Sequence, residues 1–248
     1  AASGGYVAKH GNRSISGVSG SADIFEYFGF NLASDNANVT NMVEKLGIGF
    51  MFAQKFHPAM KNVAGARKII GQRTAFNLLG PLSNPAEVKN QMIGVFSDEF
   101  LQRIVKLLQK RNSQTIMSVR SDDGMDELST TSNNKICLLK NDNITNITLN
   151  PEEYGLQKGN LSDIQIKSKE DAIKSFVNVL NNNSNKTMKE ITALNAAGGL
   201  IVSDICDDFK DGIELALETI SSGKAFDKLT EFAKYCDGIE KLEGVEKL

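Results

Sequence analysis

Apolar residues along this chain recur in two rhythms, short continuous runs and stretches at helical spacing, and their alternation predicts strands and helices in turn. Gly4-Gly5 reads as a helix end leading into a strand over Tyr6 to Lys9. Ser21-Ala22-Asp23 opens an amphipathic segment bearing Ile24, Phe25, Tyr27 and Phe28, and Gly29 ends it. Ser34-Asp35 caps a second, with Val39, Met42, Val43 and Leu46 at helical spacing and Gly47 behind them. Residues 48–53 form a continuous apolar run suited to a buried strand or loop. Pro58 fits the first turn of a helix carrying Met60, Val63, Ala64, Ile69 and Ile70. A shorter helix follows from Thr74 to Leu79, closed by Gly80-Pro81.

Residues 91–96 predict a strand, Ser97-Asp98 caps a helix with Phe100, Leu101, Ile104, Val105, Leu107 and Leu108 on its apolar face, and Thr115 to Val119 predicts the next strand. A strand–helix–strand run of this kind makes a parallel pair, and with it an α/β fold. Beyond it, residues 136–139 and 144–149 flank an Asn-Asp-Asn turn signal and read as a hairpin. Three helices, over about 169–180, 187–203 and 208–235, close the chain, and the Asn-rich stretch 181–185 is a loop between two of them.

Composition narrows the class. The 248 residues suffice for one large domain or two small ones, and 41% hydrophobic with 23% charged residues is the mix of an ordinary globular protein. A formal net charge of -2 argues against a nucleic-acid-binding surface, which draws its affinity from basic residues. Cys137, Cys206 and Cys236 are dispersed, form no CxxC pair and have only two histidines for company, which fits reduced cytoplasmic thiols better than a zinc site. The most apolar stretch, Leu194 to Val202, is short and interrupted by Asn195 and two glycines, so no membrane span is predicted, and no signal peptide is visible. The opening Ala1-Ala2-Ser3-Gly4-Gly5 lacks Met and passes straight into a strand, so the sequence is expected to be a fragment.

Three constellations carry candidate chemistry. Lys9-His10-Gly11-Asn12-Arg13-Ser14-Ile15-Ser16-Gly17 leaves a strand end and runs through Ser19, Gly20 and Ser21 to Asp23 at a helix start. Small residues admit an anion close to backbone N–H groups, hydroxyls add donors, and Lys9 and Arg13 add charge, so the segment suits phosphate or pyrophosphate. It equally fits a Gly/Ser-rich surface loop with two solvated cations. Asp122-Asp123-Gly124-Met125-Asp126-Glu127 follows a strand of the parallel pair, where α/β ligand crevices form. Adjacent carboxylates there suit Mg2+, which takes one or two of them together with substrate phosphates; an acidic solvated turn is the other reading. His57-Pro58-Ala59-Met60 opens a helix that carries Arg67, a natural partner for a planar carboxylate, although a surface arginine with a capping histidine would look the same. Ten residues along one helix span about 15 Å, so His57 and Arg67 reach one small ligand only if it lies along the helix or the segment bends.

Taken together, KHGNRSISGVSGSAD (9–23), FHPAMKNVAGARK (56–68), RTAFNLLGPLSNP (73–85) and DGMDELS (123–129) resemble the anthranilate phosphoribosyltransferase family in order and spacing, and the resemblance covers essentially all 248 residues. It implies a large α/β domain with a central, mostly parallel sheet flanked by helices, plus remnants of a small helical domain. The catalytic α/β domain would span 1–248, with about 54–82 packing toward the N-terminal helices, which the sequence lacks. By the same resemblance Lys9 to Gly17 and Ser21 would surround phosphoribosyl pyrophosphate. Asn12 would lie where the two substrates meet, Arg67, His10, His57 and Pro81 would bind anthranilate, and Asp126 and Glu127 would hold Mg2+. No catalytic base is assigned. The implied reaction is phosphoribosyl transfer to anthranilate in tryptophan biosynthesis, by a cytoplasmic homodimer with no nucleic-acid or membrane partner. The family's upstream Gly-Thr-Gly-Gly-Asp loop has no counterpart here, so this exact polypeptide is expected to be inactive or nearly so. Two rivals share the fold: a pyrimidine nucleoside phosphorylase-like enzyme, and a non-enzymatic nucleic-acid-binding paralogue.

Overall fold

A computed structural model describes residues 1–14, 17–60, 62, 65, 69, 79–80 and 82–246. Four of its strands pair in parallel twos. β1 (Val7–Gly11) lies beside β2 (Ile48–Phe52) in register from Val7↔Ile48 to Gly11↔Phe52, the connection passing through α1 (Ser21–Tyr27) and α2 (Asn36–Leu46). A one-turn helix, α3 (Ala53–Phe56), follows β2. β3 (Asn90–Gly94) lies beside β4 (Thr115–Ser121), joined by α4 (Glu99–Gln109), which is the expected βαβ unit. β5 (Asn134–Lys140) and β6 (Asn143–Leu149) extend this second sheet antiparallel in the order β3-β4-β5-β6. The hairpin turn is the two-residue Asn141-Asp142, both at positive φ (52° and 63°), the twist that two-residue hairpins require.

The C-terminal helices are α5 (Lys169–Leu180), α6 (Lys186–Val202), α7 (Phe209–Ser221), α8 (Lys224–Tyr235) and α9 (Ile239–Glu246). The single helix expected over 208–235 is therefore two. Gly223, at φ 84°, takes a left-handed conformation that no helix can continue through. Beyond the last helix expected from the sequence lies α9, whose Leu242 and Val245 are buried in the core. That core joins α1, α2, β2, α5, α8 and α9 around Phe28, Phe50, Met42 and Phe232. A second core seats Leu194, Ala197 and Ile201 of α6 on Met117 and Val119 of β4, and a third seats Ile104 and Val105 of α4 against Ile116 and Leu139.

Two local expectations met different fates. Asp35 caps α2 by accepting from the Asn38 N–H at 3.0 Å, and Gly47 ends the helix at φ 72°. Asp98 does not cap α4. Its carboxylate is held by Arg120 at 2.9 Å and Lys135 at 2.6 Å, charged donors that outcompete a backbone N–H. The helix expected to start at Pro58 is preceded by α3, and Pro58–Met60 is a 3-10 turn. Val63, Ala64, Ile70 and residues 74–78 of the next two expected helices lie outside the described residues.

Candidate active site

The C-terminal ends of the parallel strands bring the sequence constellations together. Lys9, His10 and Gly11 end β1, Asn12 to Ser14 leave it as a loop, and Ser21 starts α1. The loop folds back so tightly that a Cβ on Gly20 would stand 2.4 Å from the Ser14 nitrogen and 2.9 Å from the Arg13 carbonyl carbon, a space only glycine leaves open. The Ser14 hydroxyl accepts from the Gly17 N–H at 2.7 Å; Ile15 and Ser16 lie outside the described residues. The Asn12 side-chain oxygen accepts from the Arg13 N–H at 2.8 Å and from the Gln54 amide of α3 at 3.4 Å, tying the loop to the end of β2.

The charges of this loop are partly spent within the protein. Arg13 pairs with Asp23 at 3.0 Å and Glu26 at 2.7 Å, and Asp23 also caps the Gly20 N–H at 2.9 Å. The carboxylate thus serves the residue before α1, while the Ala22 N–H of the first turn donates to the Asn12 carbonyl at 3.4 Å. Lys9 makes no ion pair among the described residues, and its charge is felt by Glu127 of the acidic loop.

His10 and His57, far apart in sequence, meet edge to face with ring centroids 5.0 Å apart. Both Nε2 atoms are buried without a hydrogen-bond partner among the described residues. Burial, reinforced by the neighbouring His57, pulls the His10 pKa down despite a hydrogen bond with the Gly80 backbone, so its ring is neutral at physiological pH. Asn84 binds the Ala8 carbonyl at 3.1 Å and so fastens the described end of the 73–85 motif to β1. Arg67 and Pro81 lie outside the described residues.

The acidic segment leaves β4 as a turn through Gly124. Its second aspartate is not a free ligand. Asp123 accepts hydroxyl hydrogens from Ser121, Thr131 and Ser129, the last at 2.7 Å, and the Met125 N–H at 3.2 Å. Partial burial pushes its carboxyl up, but these donors outweigh it and bring the pKa down to about 2. A lowered folded pKa stabilises the fold above the ordinary value of 3.8, and that contribution is lost as pH falls toward 2. Asp123→Asn is therefore expected to cost about 1–3 kcal/mol near neutrality. Its denaturation midpoint should also vary less than the parent's between pH 4 and pH 2; parallel acid limbs would mean that Asp123 is not the group responsible.

Asp126 and Glu127 are the free pair: both are exposed, and neither makes a hydrogen bond or ion pair among the described residues. Glu127 keeps access to solvent while protein crowds it from behind. That crowding raises its pKa, Asp126 raises it further, and Lys9 offsets part of the rise. Two unpartnered carboxylates within electrostatic reach of Lys9 suit a divalent cation shared with substrate phosphates. No three His, Cys, Asp or Glu side chains cluster as a self-sufficient metal cage among the described residues.

Sequence reasoning missed the supports of this site: Asp123 as a hydrogen-bond centre, Gln54 on Asn12, Gly94 beneath Asp126 and Asn195 beside Leu128. Only Asn195 carried a signal, as a polar residue interrupting an apolar run.

A lysine-bearing, small-residue segment within electrostatic reach of an acidic loop at parallel strand ends is the equipment of a protein that handles a phosphorylated ligand together with a divalent cation. Residues 1–226 match the model of the glycosyl transferase family, a/b domain. The anthranilate phosphoribosyltransferase of Nitrosopumilus maritimus is 59% identical over 245 residues, 99% of this chain and 70% of the relative. That of Cenarchaeum symbiosum is 46% identical over 94% of this chain and 68% of the relative. Among solved structures, anthranilate phosphoribosyltransferase from Thermus thermophilus superposes with a TM-score of 0.87 at 34% identity, covering 96% of this chain and 70% of that one. The Saccharomyces cerevisiae enzyme in complex with PRPP and Mg gives 0.79 at 26% identity, covering 98% and 67%. The chain belongs to the anthranilate phosphoribosyltransferase family.

Proposed function

We propose that this protein transfers the phosphoribosyl group of phosphoribosyl pyrophosphate to the amine of anthranilate, releasing pyrophosphate. The observation that carries the reading is the placement of Lys9, near the end of β1, within electrostatic reach of Glu127 of the acidic loop. Anion-binding and cation-binding equipment face one another at the crevice that α/β folds use for ligands. Relatives sharing 59% and 46% identity bear this enzyme's name, and neither a pyrimidine nucleoside phosphorylase nor a nucleic-acid-binding paralogue is favoured beside them.

In this reading the amine lone pair forms the bond to ribose C1 as the bond from C1 to the pyrophosphate oxygen breaks, and the displaced N–H proton passes to solvent. Asp126 and Glu127 would hold Mg2+, which when bound neutralises charge on the leaving pyrophosphate. The Lys9–Ser14 segment and Ser21 offer N–H, hydroxyl and ammonium donors to the same anion. His10 and His57 line the anthranilate side, and its carboxylate falls to Arg67. No side chain needs to act as a strong base, because the amine already carries a free lone pair.

Exposed Ile69 (88%) and Leu79 (47%) support reading 54–82 as a face for the helical domain of the full-length protein. A homodimer in the cytoplasm without nucleic-acid partners goes with this reading. No helix among the described residues is long and apolar enough to cross a membrane.

The test is loss of anthranilate fluorescence in the full-length protein, dependent on both phosphoribosyl pyrophosphate and magnesium. Activity only with a pyrimidine nucleoside and phosphate would overturn the reading. Asp126→Asn with Glu127→Gln should abolish magnesium-dependent binding of phosphoribosyl pyrophosphate in calorimetry, since both proposed metal ligands lose their charge. Unchanged affinity would remove the pair from the site.

A further inference from the structure

We infer that Asn195 is a positioning residue for the acidic pair, holding the residue next to Glu127 from outside the loop. Asn195 lies on α6, 67 positions from the backbone it grips. Its side-chain oxygen accepts the Leu128 N–H at 3.0 Å, and its amide nitrogen donates to the Leu128 carbonyl at 2.7 Å. The same nitrogen donates to the Ile191 carbonyl of its own helix at 2.9 Å, which fixes the plane of the amide. A side-chain amide thus engages both backbone groups of one residue, as a neighbouring strand would.

The grip falls where it matters for Asp126 and Glu127. The Leu128 side chain is fully buried in the core that also holds Leu194 and Ala197, the residues on either side of this turn of α6. Side chain and backbone of Leu128 are therefore both referred to one rigid helix. Upstream of the pair, the Asp123 hydrogen bonds close the loop on itself; downstream, Asn134 accepts the Ser129 N–H at 2.7 Å and donates to its carbonyl at 2.9 Å. Those contacts stay within the acidic segment and the strands that flank it, β4 and β5. Among the described residues, Asn195 supplies the side-chain hydrogen bonds that reach the Leu128 backbone from a separate element. Without them, Leu128 keeps its buried side chain but loses both backbone partners, and the peptide joining it to Glu127 is free to rotate.

The inference rests on the reading of Asp126 and Glu127 as the magnesium pair, so the experiment measures both. In the full-length protein, calorimetry gives the affinity for phosphoribosyl pyrophosphate with magnesium, and steady-state assays give the Michaelis constant for anthranilate. Glu127→Gln serves as the benchmark. Asn195→Ala is expected to weaken magnesium-dependent binding by roughly 10- to 100-fold, the usual effect of removing a group that orients a metal ligand, with the anthranilate constant within about twofold of the parent. Asn195→Asp, which keeps the acceptor for Leu128 N–H and loses both donated bonds, should fall in the same direction; it also stands in where the alanine variant does not fold. If Glu127→Gln weakens binding and neither Asn195 variant does, Asn195 is only a tie between helix and loop and the inference is overturned. If binding and the anthranilate constant worsen in step, the role is general packing and the inference is overturned as well. If Glu127→Gln itself binds normally, the magnesium reading fails first and takes this inference with it.

Discussion

Gly94→Ala is expected to lower magnesium-dependent turnover by about a hundredfold, although the added methyl group touches no substrate. Gly94 ends β3 directly beneath the acidic loop. A Cβ there would stand 1.6 Å from the Asp126 carbonyl oxygen and 2.7 Å from its carbonyl carbon. Both are backbone atoms, so no side-chain rotation relieves the overlap, and the peptide must retreat by about 1.5 Å or more to reach van der Waals distance. The loop cannot move as a whole, because Leu128 is buried and its backbone is clamped by Asn195 of α6. The displacement therefore falls on Asp126 and Glu127. Overpacking of this kind destabilises by about 1–3 kcal/mol, which thermal denaturation would read. The kinetic signature is distinct: the magnesium requirement and the Michaelis constant for phosphoribosyl pyrophosphate rise while that for anthranilate stays. An alanine variant with unaltered magnesium dependence would detach the position of Asp126 from the chemistry.

The elements of this fold were legible wherever local chemistry decides them. The βαβ unit around α4, the Asp35 and Gly47 caps of α2 and the Asn141-Asp142 hairpin all follow from neighbours in sequence. Reading failed where a distant partner intervened. Asp98 looked like a cap and instead pairs with Arg120 and Lys135 on strands that no local window contains. No helix was expected beyond 235, and α9 forms because Leu242 and Val245 find the core made by α2, α5 and α8. The break at Gly223 lay in plain sight, since one glycine in a long apolar pattern reads as tolerated until its φ is known.

The site divides in the same way. Its chemistry-bearing residues sit in compact motifs, and the family resemblance of those motifs assigned them roles. What holds them was not legible. Gly94, Asp123, Gln54 and Asn195 act through contacts 2 to 67 positions away, and the residue types involved are common in loops and helices for unrelated reasons. Arg13 differs in another way. Its charge looked available to an anion, and the fold spends it on Asp23 and Glu26 of the next helix.

With Arg13 so engaged, Lys9 becomes the cation whose loss should be felt most, and Lys9→Met is expected to have two separable effects. The first is on binding. A charge-assisted hydrogen bond to a phosphate oxygen is worth about 1.5–3 kcal/mol, so kcat/KM for phosphoribosyl pyrophosphate should fall by roughly 10- to 100-fold. The second is on pH. Glu127 already has its pKa raised by burial and by Asp126, and Lys9 is what restrains it. Without that restraint the carboxyl takes up a proton at still higher pH as the solution is acidified, and only the ionised form serves a divalent cation. The acid limb of the magnesium-dependent pH–rate profile should therefore move to higher pH in Lys9→Met. Lys9→Arg, which keeps the charge, should leave the limb near its original place even if the altered shape lowers the rate. Recording kcat/KM against pH for the three proteins separates the effects. A methionine variant that is slow but titrates like the parent would show that Lys9 and Glu127 do not share one field, and the convergence of the two loops on a single anion would lose its main support.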